Sequence, residues 1–287
     1  MEQITLRAYA KINPALAVIG KRPDGYHDLK MIMQTVTLAD EVLVKKINKP
    51  NYLKLVSNNP RLPVNMKNIA FKAAKIMIDK FSIGPGIFID LKKNIPVSAG
   101  LAGGSADAAA TLIAINTLFR LDISVGELME IGLTLGADVP FSILKGTALA
   151  EGVGEKLTSI PLCKQSEVLI ATPSVFVSTA NIFSRYLPLN ADRDFETMIE
   201  ALKSGDITMF SQNMFNDLST VTEKLHPEIG EIKKIMLEYG ALGAQMSGSG
   251  PSVFGYFDNR GVAEEALTAL EQSKILLRKL TICNTFP

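Results

Sequence analysis

The chain has 287 residues, with 30 Lys and Arg against 29 Asp and Glu, and therefore a formal charge of +1. This length predicts two domains or one large one, and the near-zero charge excludes an overall field that would attract nucleic acid or an anionic membrane. Two cysteines, Cys163 and Cys283, and two histidines are too few for a disulfide framework or a zinc site. No signal peptide or membrane span is expected, and the predicted setting is a reducing cytoplasm.

The first half of the chain is predicted to begin with short strands separated by turn residues, the clearest turn lying at residues 20–25. The predicted strands cover residues 4–10, 15–19, 31–38, 41–46, 53–56 and 84–91. Apolar residues at helical spacing predict a helix over 65–81. Residues 106–119 contain a single charged side chain, which predicts a buried helix. Ser124 and Glu127 have the spacing of a capping box at the start of the next helix, which is predicted to end at Gly136.

Beyond about residue 155 the pattern changes to α+β, which predicts domains at 1–155 and 156–287. The predicted elements are strands at 167–171, 252–257 and the end of the chain, and helices at 195–205, 227–240 and 263–272. His226 stands before Pro227 at a predicted helix start and is interpreted as structural.

The most informative segment is a Gly-rich loop that follows a strand and opens the buried helix. Gly100, Gly103 and Gly104 allow close approach of the backbone, and Ser105 stands at the predicted helix start. Such a loop suits a phosphate, because the first N–H groups of a helix point at the anion. The alternative is a tight turn with a serine cap. No Walker A loop, G-x-G-x-x-G or protein-kinase motif occurs, so a phosphate-loop enzyme here would belong to another lineage.

Five polar or aromatic side chains are candidates for chemistry, each with a structural alternative. Asp138, at a helix–loop junction, could be a base or a helix cap. Lys11, between two apolar stretches, could face a cleft or be an edge-strand charge. Asp107 could serve only the dipole of the buried helix. Tyr26 and His27, after a turn, could stack on a nucleobase and bond its edge, or lie on a surface loop.

Together these segments resemble the GHMP kinase superfamily. The resemblance rests on five motifs that recur in order from residue 8 to about residue 257. They are AYAKIN at 8–13, RPDGYH at 22–27, the loop at 96–110, GADVP at 136–140 and MSGSGP at 246–251.

The resemblance implies an α/β fold of two domains, the N-terminal one ribosomal-protein-S5-domain-2-like and the C-terminal one ferredoxin-like, with the active site in the cleft between them. It implies ATP-dependent phosphorylation of the 2-hydroxyl of a cytidine diphosphate-linked methylerythritol, on the non-mevalonate route to isoprenoid precursors. A related kinase of mevalonate- or homoserine-type alcohols and a catalytically silent ligand-binding homologue are the alternatives. The oligomeric state stays open, with a homodimer as one option.

By the resemblance, Asp138 is the general base, and Lys11 keeps it ionised and stabilises developing charge, so the fold must bring the two together. The residues implied on the substrate side are Asn13, Tyr26, His27 and Phe183, the last as a second face around the cytosine. ATP and Mg²⁺ are the implied cofactors, with Ser105 as a metal ligand. The residues implied for ATP are Pro96, Val97, Ser98, Ala99, Gly100, Leu101, Ala102, Gly103, Gly104, Ser105, Ala106 and Asn68. Met33 is a departure, since some members place an aromatic there.

Overall fold

The computed structural model describes residues 2–162, 164–188 and 193–286, so Cys163 lies outside the described residues. The described strands are β1 (Gln3–Lys21), β2 (His27–Ile47), β3 (Leu53–Ser57), β4 (Gly86–Lys92), β5 (Thr147–Gly152), β6 (Lys156–Ser159), β7 (Glu167–Pro173), β8 (Phe215–Asn216), β9 (Gly243–Met246), β10 (Val253–Phe257) and β11 (Leu277–Asn284). The described helices are α1 (Ile69–Lys80), α2 (Gly103–Phe119), α3 (Val125–Leu133), α4 (Val139–Leu144), α5 (Thr179–Arg185), α6 (Phe195–Ser204), α7 (Ile207–Gln212), α8 (Ser219–Leu225), α9 (Pro227–Glu238) and α10 (Arg260–Gln272).

Close contacts group the chain into two compact units made of interleaved segments. The first unit comprises Met1–Ala10, Leu38–Val97 and Ala102–Lys145. The second comprises Lys11–Thr37, Ser98–Leu101 and Gly146–Pro287. The boundaries therefore fall inside β1, inside β2 and inside the Gly-rich loop. The division into sequence domains at residue 155 stays a prediction.

The first unit places two helices against a mixed sheet. Its strands follow the order β3-β4-β2-β1, with β3 parallel to β4 and β4 antiparallel to β2. Helices α1 and α2 supply small side chains to the core, and eight alanines of α1 and α2 are buried there. The prediction of a buried helix is confirmed, although α2 begins three residues earlier, at Gly103. The capping box of Ser124 and Glu127 is also confirmed.

The predicted strand breaks near the start of the chain are wrong. Each of β1 and β2 runs without interruption through the polar residues that suggested a break. Asn13 in β1 and Asp40 in β2 are fully buried, with hydrogen-bond partners inside the protein. Polar side chains with such partners can be buried in the middle of a strand. The predicted helix end at Gly136 is wrong as well, because α3 ends earlier, with Thr134 as its C-cap.

The second unit contains an antiparallel sheet in the order β11-β7-β10-β9. Numbered along the chain, these four strands stand in the order 4-1-3-2, with helices between the first and second and between the third and fourth. This is the ferredoxin-like arrangement, so that prediction is confirmed. Elsewhere in the unit, β5 pairs with β2 and β6, and β8 pairs in parallel with β1.

His226 precedes Pro227 as the N-cap of α9, in agreement with its structural interpretation. Among the described residues, no helix combines the length and apolar character needed to span a membrane.

Candidate active site

The backbone of the Gly-rich loop alternates in handedness over five residues. Ser98, Gly100 and Ala102 have φ values of 52°, 77° and 53°, and the two residues between them have negative φ. The left-handed region is unfavourable for serine and alanine, so the surrounding structure must impose it. Alternation of this kind turns successive N–H groups toward one point and creates a concavity that binds anions.

Hydrogen bonds to the loop carbonyls impose this shape. Four consecutive carbonyl oxygens accept bonds from groups of the second unit. The pairs are Arg278 Nη2 to Ser98 at 3.2 Å, the Ser252 amide to Ala99 at 3.2 Å, Ser247 Oγ to Gly100 at 2.9 Å and the Lys11 amide to Leu101 at 3.1 Å. In a trans peptide group the C=O and the N–H point in opposite directions. Bonds to the carbonyls therefore leave the N–H groups free to face a ligand from the other side.

Gly100 and Gly248 allow two Gly-rich segments to touch. A Cβ atom on Gly100 would lie 2.1 Å from the backbone oxygen of Ser247, so only glycine fits. A Cβ atom on Gly248 would lie 3.3 Å from the Gly100 oxygen and 3.6 Å from Lys11 Nζ. Residues 246–251 thus support the loop and lie beside the lysine.

The start of α2 is open to an anion. The N-cap of this 17-residue helix is Ala102, whose side chain has no acceptor for the first N–H groups. The serine-cap alternative is therefore wrong, and Ser105 lies inside the first turn. Unsatisfied N–H groups and the helix dipole both favour negative charge at this end.

Lys11 is buried within β1, which rules out the edge-strand alternative. Its side chain is 6% exposed, and Nζ donates to Asn13 Oδ1 at 2.5 Å. Asn13 is fully buried, and its Nδ2 lies 3.6 Å from Met31 Sδ. A buried ammonium is costly unless other groups compensate its charge. Asn13 is one such group, and its bond to Nζ orients the lysine.

Asp138 stands immediately before α4. It occupies the N-cap position, but within the described chain its carboxylate makes no capping hydrogen bond. The cap alternative is therefore wrong, and the carboxylate is not committed to holding the helix. A Cβ atom on Gly136 would lie 3.9 Å from Ser105 Oγ, so this segment neighbours the start of α2 within the first unit. Lys11 belongs to the second unit, and its relation to Asp138 stays a prediction.

The hairpin between β1 and β2 carries the predicted nucleobase readers. The Tyr26 amide donates to Asp24 Oδ1 at 3.0 Å, and the Tyr26 side chain is 68% exposed at the tip. His27 stacks on Phe183 with ring centroids 4.9 Å apart and an interplanar angle of 27°. The structure thus brings His27 and Phe183 together, and a base can enter between these rings only if they separate. Met33 is fully buried in the core.

Asn68 acts as the N-cap of α1. Its Oδ1 accepts from the Ala70 amide at 2.9 Å, and its Nδ2 donates to the Pro63 oxygen at 2.9 Å. A Cβ atom on Gly104 would lie 3.6 Å from Ile69 Cδ1, which places the starts of α1 and α2 side by side. The contact of Asn68 with the adenosine end of ATP stays a prediction.

The sequence reasoning missed two residues that shape the loop. Arg278 and Ser252 hold the first two carbonyls from more than 150 residues further along the chain. Neither belongs to a Gly-rich or charged motif with a recognisable spacing, so no local signal could have identified them.

Comparisons with known proteins show the family of the chain. The models of the GHMP kinases N terminal domain and of the GHMP kinases C terminal match residues 68–146 and 198–275. A 4-diphosphocytidyl-2-C-methyl-D-erythritol kinase of Lachnoclostridium phytofermentans is 48% identical over 269 residues, 93% of this chain and 92% of that protein.

Two solved structures resemble this chain to different degrees. The crystal structure of a 4-(cytidine 5'-diphospho)-2C-methyl-D-erythritol kinase matches with a TM-score of 0.83 and 31% identity, over 99% of this chain and 100% of that one. The homoserine kinase of Cytophaga hutchinsonii has a TM-score of 0.76 at 21% identity, over 100% and 95% of the two chains, and shares the fold alone. The chain therefore belongs to the GHMP kinase family, and within it to the group of the 4-diphosphocytidyl-2-C-methyl-D-erythritol kinases that it matches over nearly its full length.

Proposed function

We propose that this chain transfers the γ-phosphoryl group of ATP to the 2-hydroxyl of 4-diphosphocytidyl-2-C-methyl-D-erythritol, a step on the non-mevalonate route to isoprenoid precursors. The observation that supports a kinase activity is the Gly-rich loop, four of whose carbonyl oxygens accept internal hydrogen bonds. This loop leads into the N-terminus of α2, which has no side-chain cap. The choice of substrate rests on the 48% identical relative.

In the proposed reaction, Asp138 accepts the proton of the 2-hydroxyl as that oxygen bonds to the γ-phosphorus. The bond between the γ-phosphorus and the bridging oxygen breaks, and ADP leaves with that electron pair. The loop amides of residues 98–105 hold the phosphates, and Lys11 stabilises the charge on the transferring group. Asn13 orients Lys11 through its bond to Nζ.

The residues present fit magnesium that is carried mainly by the phosphates. Mg²⁺ in kinases keeps several waters and uses one or two protein ligands together with phosphate oxygens. Among the described residues, no three His, Cys, Asp or Glu side chains cluster to form a protein cage. Ser105, in the first turn of α2, could be one of these protein ligands. The neighbouring Gly136 has no side chain that would crowd the Ser105 hydroxyl. Bound there, Mg²⁺ would neutralise charge on the β- and γ-phosphates.

The hairpin and Phe183 are proposed to hold the cytosine. Replacing His27 with alanine should raise KM for the cytidyl substrate about tenfold and change KM for ATP less than about twofold, because base stacking contributes roughly 1–3 kcal/mol. Steady-state kinetics with each substrate varied in turn would measure both constants. His226→Ala, at a helix start, is the matched control and should change neither. Equal increases of both constants in His27→Ala would place His27 outside the cytidine site.

The decisive test of the function is ADP release by purified protein offered three alcohols in parallel with ATP. We expect release with the cytidyl substrate and at most trace release with mevalonate or homoserine. Release with one of the latter alone would establish the related-kinase alternative. ATP binding without release in any of the three assays would favour the silent ligand-binding alternative.

A further inference from the structure

Three charged side chains form a buried cluster in the first unit, apart from the proposed reacting groups. Asp40 belongs to β2, Lys93 follows β4, and Asp107 lies one turn inside α2. Their side chains are 0%, 6% and 5% exposed. Lys93 Nζ donates to Asp40 Oδ2, and it donates to Asp107 Oδ2 at 2.6 Å. One ammonium therefore bridges two carboxylates that are 67 positions apart in the sequence.

Asp40 also binds the backbone where the Gly-rich loop begins. Its Oδ1 accepts from the Asn94 amide at 2.5 Å and from the Ile95 amide at 2.8 Å, directly before Pro96. Both bonds are charge-assisted and therefore stronger than bonds between neutral groups. The carboxylate thus fixes the chain at the entrance of the loop.

The same cluster holds the other end of the loop. Asp107 receives its bond from Lys93 four residues after α2 begins. A Cβ atom on Gly103 would lie 2.9 Å from Ile95 Cγ2 and 3.4 Å from Lys93 Nζ. The two ends of the loop therefore lie directly against each other. One buried group of charges therefore fixes the separation of the two ends.

Stability alone does not explain this arrangement. Two carboxylates face one ammonium, and among the described residues Asp107 Oδ1 has no hydrogen-bond partner. Burial, opposed by the Lys93 charge, raises the pKa of Asp107 to about 7. Well-packed apolar residues often stabilise a core at least as well as buried ion pairs do. Apolar residues could not, however, bind two backbone amides and thereby fix the position of the chain.

We propose that Asp40 and Lys93 are positioning residues for the nucleotide: by fixing both ends of the Gly-rich loop, they set the spacing at which its N–H groups meet the ATP phosphates. The proposal rests on the proposed function only in taking the loop as the phosphate site. Neither side chain needs to touch ATP, because each acts through the backbone that it holds.

The test is Asp40→Asn, which keeps the shape but removes the charge that strengthens both amide bonds and pairs with Lys93. We expect the dissociation constant of ATP, measured by calorimetry, to rise about tenfold, the effect of losing one charge-assisted bond. KM for the cytidyl substrate should stay within about twofold. Asp79→Asn is the matched control, because it removes an exposed α1 carboxylate that pairs with Lys75 in the same unit. It should leave both constants unchanged.

Hydrogen exchange of the free protein supplies a readout that needs neither substrate. Peptides spanning residues 94–107 should exchange faster in Asp40→Asn, whereas peptides of α10 should exchange as in the wild type. An ATP dissociation constant within about twofold of the wild-type value, or a uniform rise in exchange along the chain, would overturn the proposal. Failure of the wild type to release ADP would count against the proposed function and leave both readouts valid.

If Asp40→Asn does not fold, the triple variant Asp40→Asn/Lys93→Gln/Asp107→Asn gives a second test. It removes all three charges of the cluster, so no buried charge is left without its counter-ion, which is the main cost of breaking such a pair. Its two amide bonds remain uncharged, so the same rise in the ATP dissociation constant and the same local exchange are expected. ATP binding as tight as in the wild type would again overturn the proposal.

Discussion

Replacing Asp138 with asparagine is expected to lower kcat by about three orders of magnitude, within the range known for removal of a general base. KM for ATP and for the cytidyl substrate should change less than about twofold, because asparagine keeps the size and shape of the side chain. The carboxylate makes no capping bond to α4 within the described chain, so the substitution removes no helix cap and the variant should remain folded at the assay temperature. Steady-state kinetics and thermal unfolding measure the two effects.

Asp122→Asn is the control for this experiment. Asp122 is exposed, lies in the same unit and has a left-handed φ of 54°, which asparagine adopts readily. Its kcat should equal that of the wild type. An Asp138→Asn enzyme that retained a tenth or more of the turnover would show that proton transfer to Asp138 does not carry the reaction, and the base would have to be sought elsewhere.

Gly100→Ala is expected to lower kcat/KM for ATP by at least about a hundredfold. The added methyl group would lie 2.1 Å from the Ser247 oxygen, and the backbone φ of 77° disfavours any side chain. The loop must therefore move, which breaks the bonds to its carbonyls and misdirects its amides. Kinetics with ATP as the varied substrate measures the loss.

The matched control is Gly20→Ala, in the same unit. A Cβ atom there has none of the described atoms within 4 Å, so the substitution should leave kcat/KM unchanged. Thermal unfolding distinguishes local damage from collapse, since Gly100→Ala should remain folded at the assay temperature. A Gly100→Ala enzyme with wild-type kcat/KM would mean that the loop conformation does not govern ATP use.

The local patterns predicted much of the fold because they depend on near neighbours in the sequence. The alanine-rich run after the Gly-rich loop and the Ser124 and Glu127 pair each contain their own signal. The continuity of β1 and β2 was missed for the opposite reason. Asp40 reads as a strand breaker until its amide partners are known, and those lie 54 and 55 residues further along the chain.

The candidate site divides in the same way. Motifs identified the loop and singled out Asp138 and Lys11, since each stands in a short, characteristic stretch. The groups that give the loop its shape were not identified, because Arg278, Ser252 and Asp40 act across the fold. The direct stacking of His27 on Phe183 is another contact that only the three-dimensional structure reveals.

The hydrogen bonds to four carbonyl oxygens of the loop affect the thermodynamics of nucleotide binding. A flexible loop would lose conformational entropy when it closed on a triphosphate, and that loss would weaken binding. Here the protein bears most of that cost when it folds, since residues 98–101 are held by internal bonds. Binding free energy that would otherwise order the loop remains available to align the γ-phosphoryl group with its acceptor. Inhibitors that present a rigid anion to these amides should gain from the same pre-organisation.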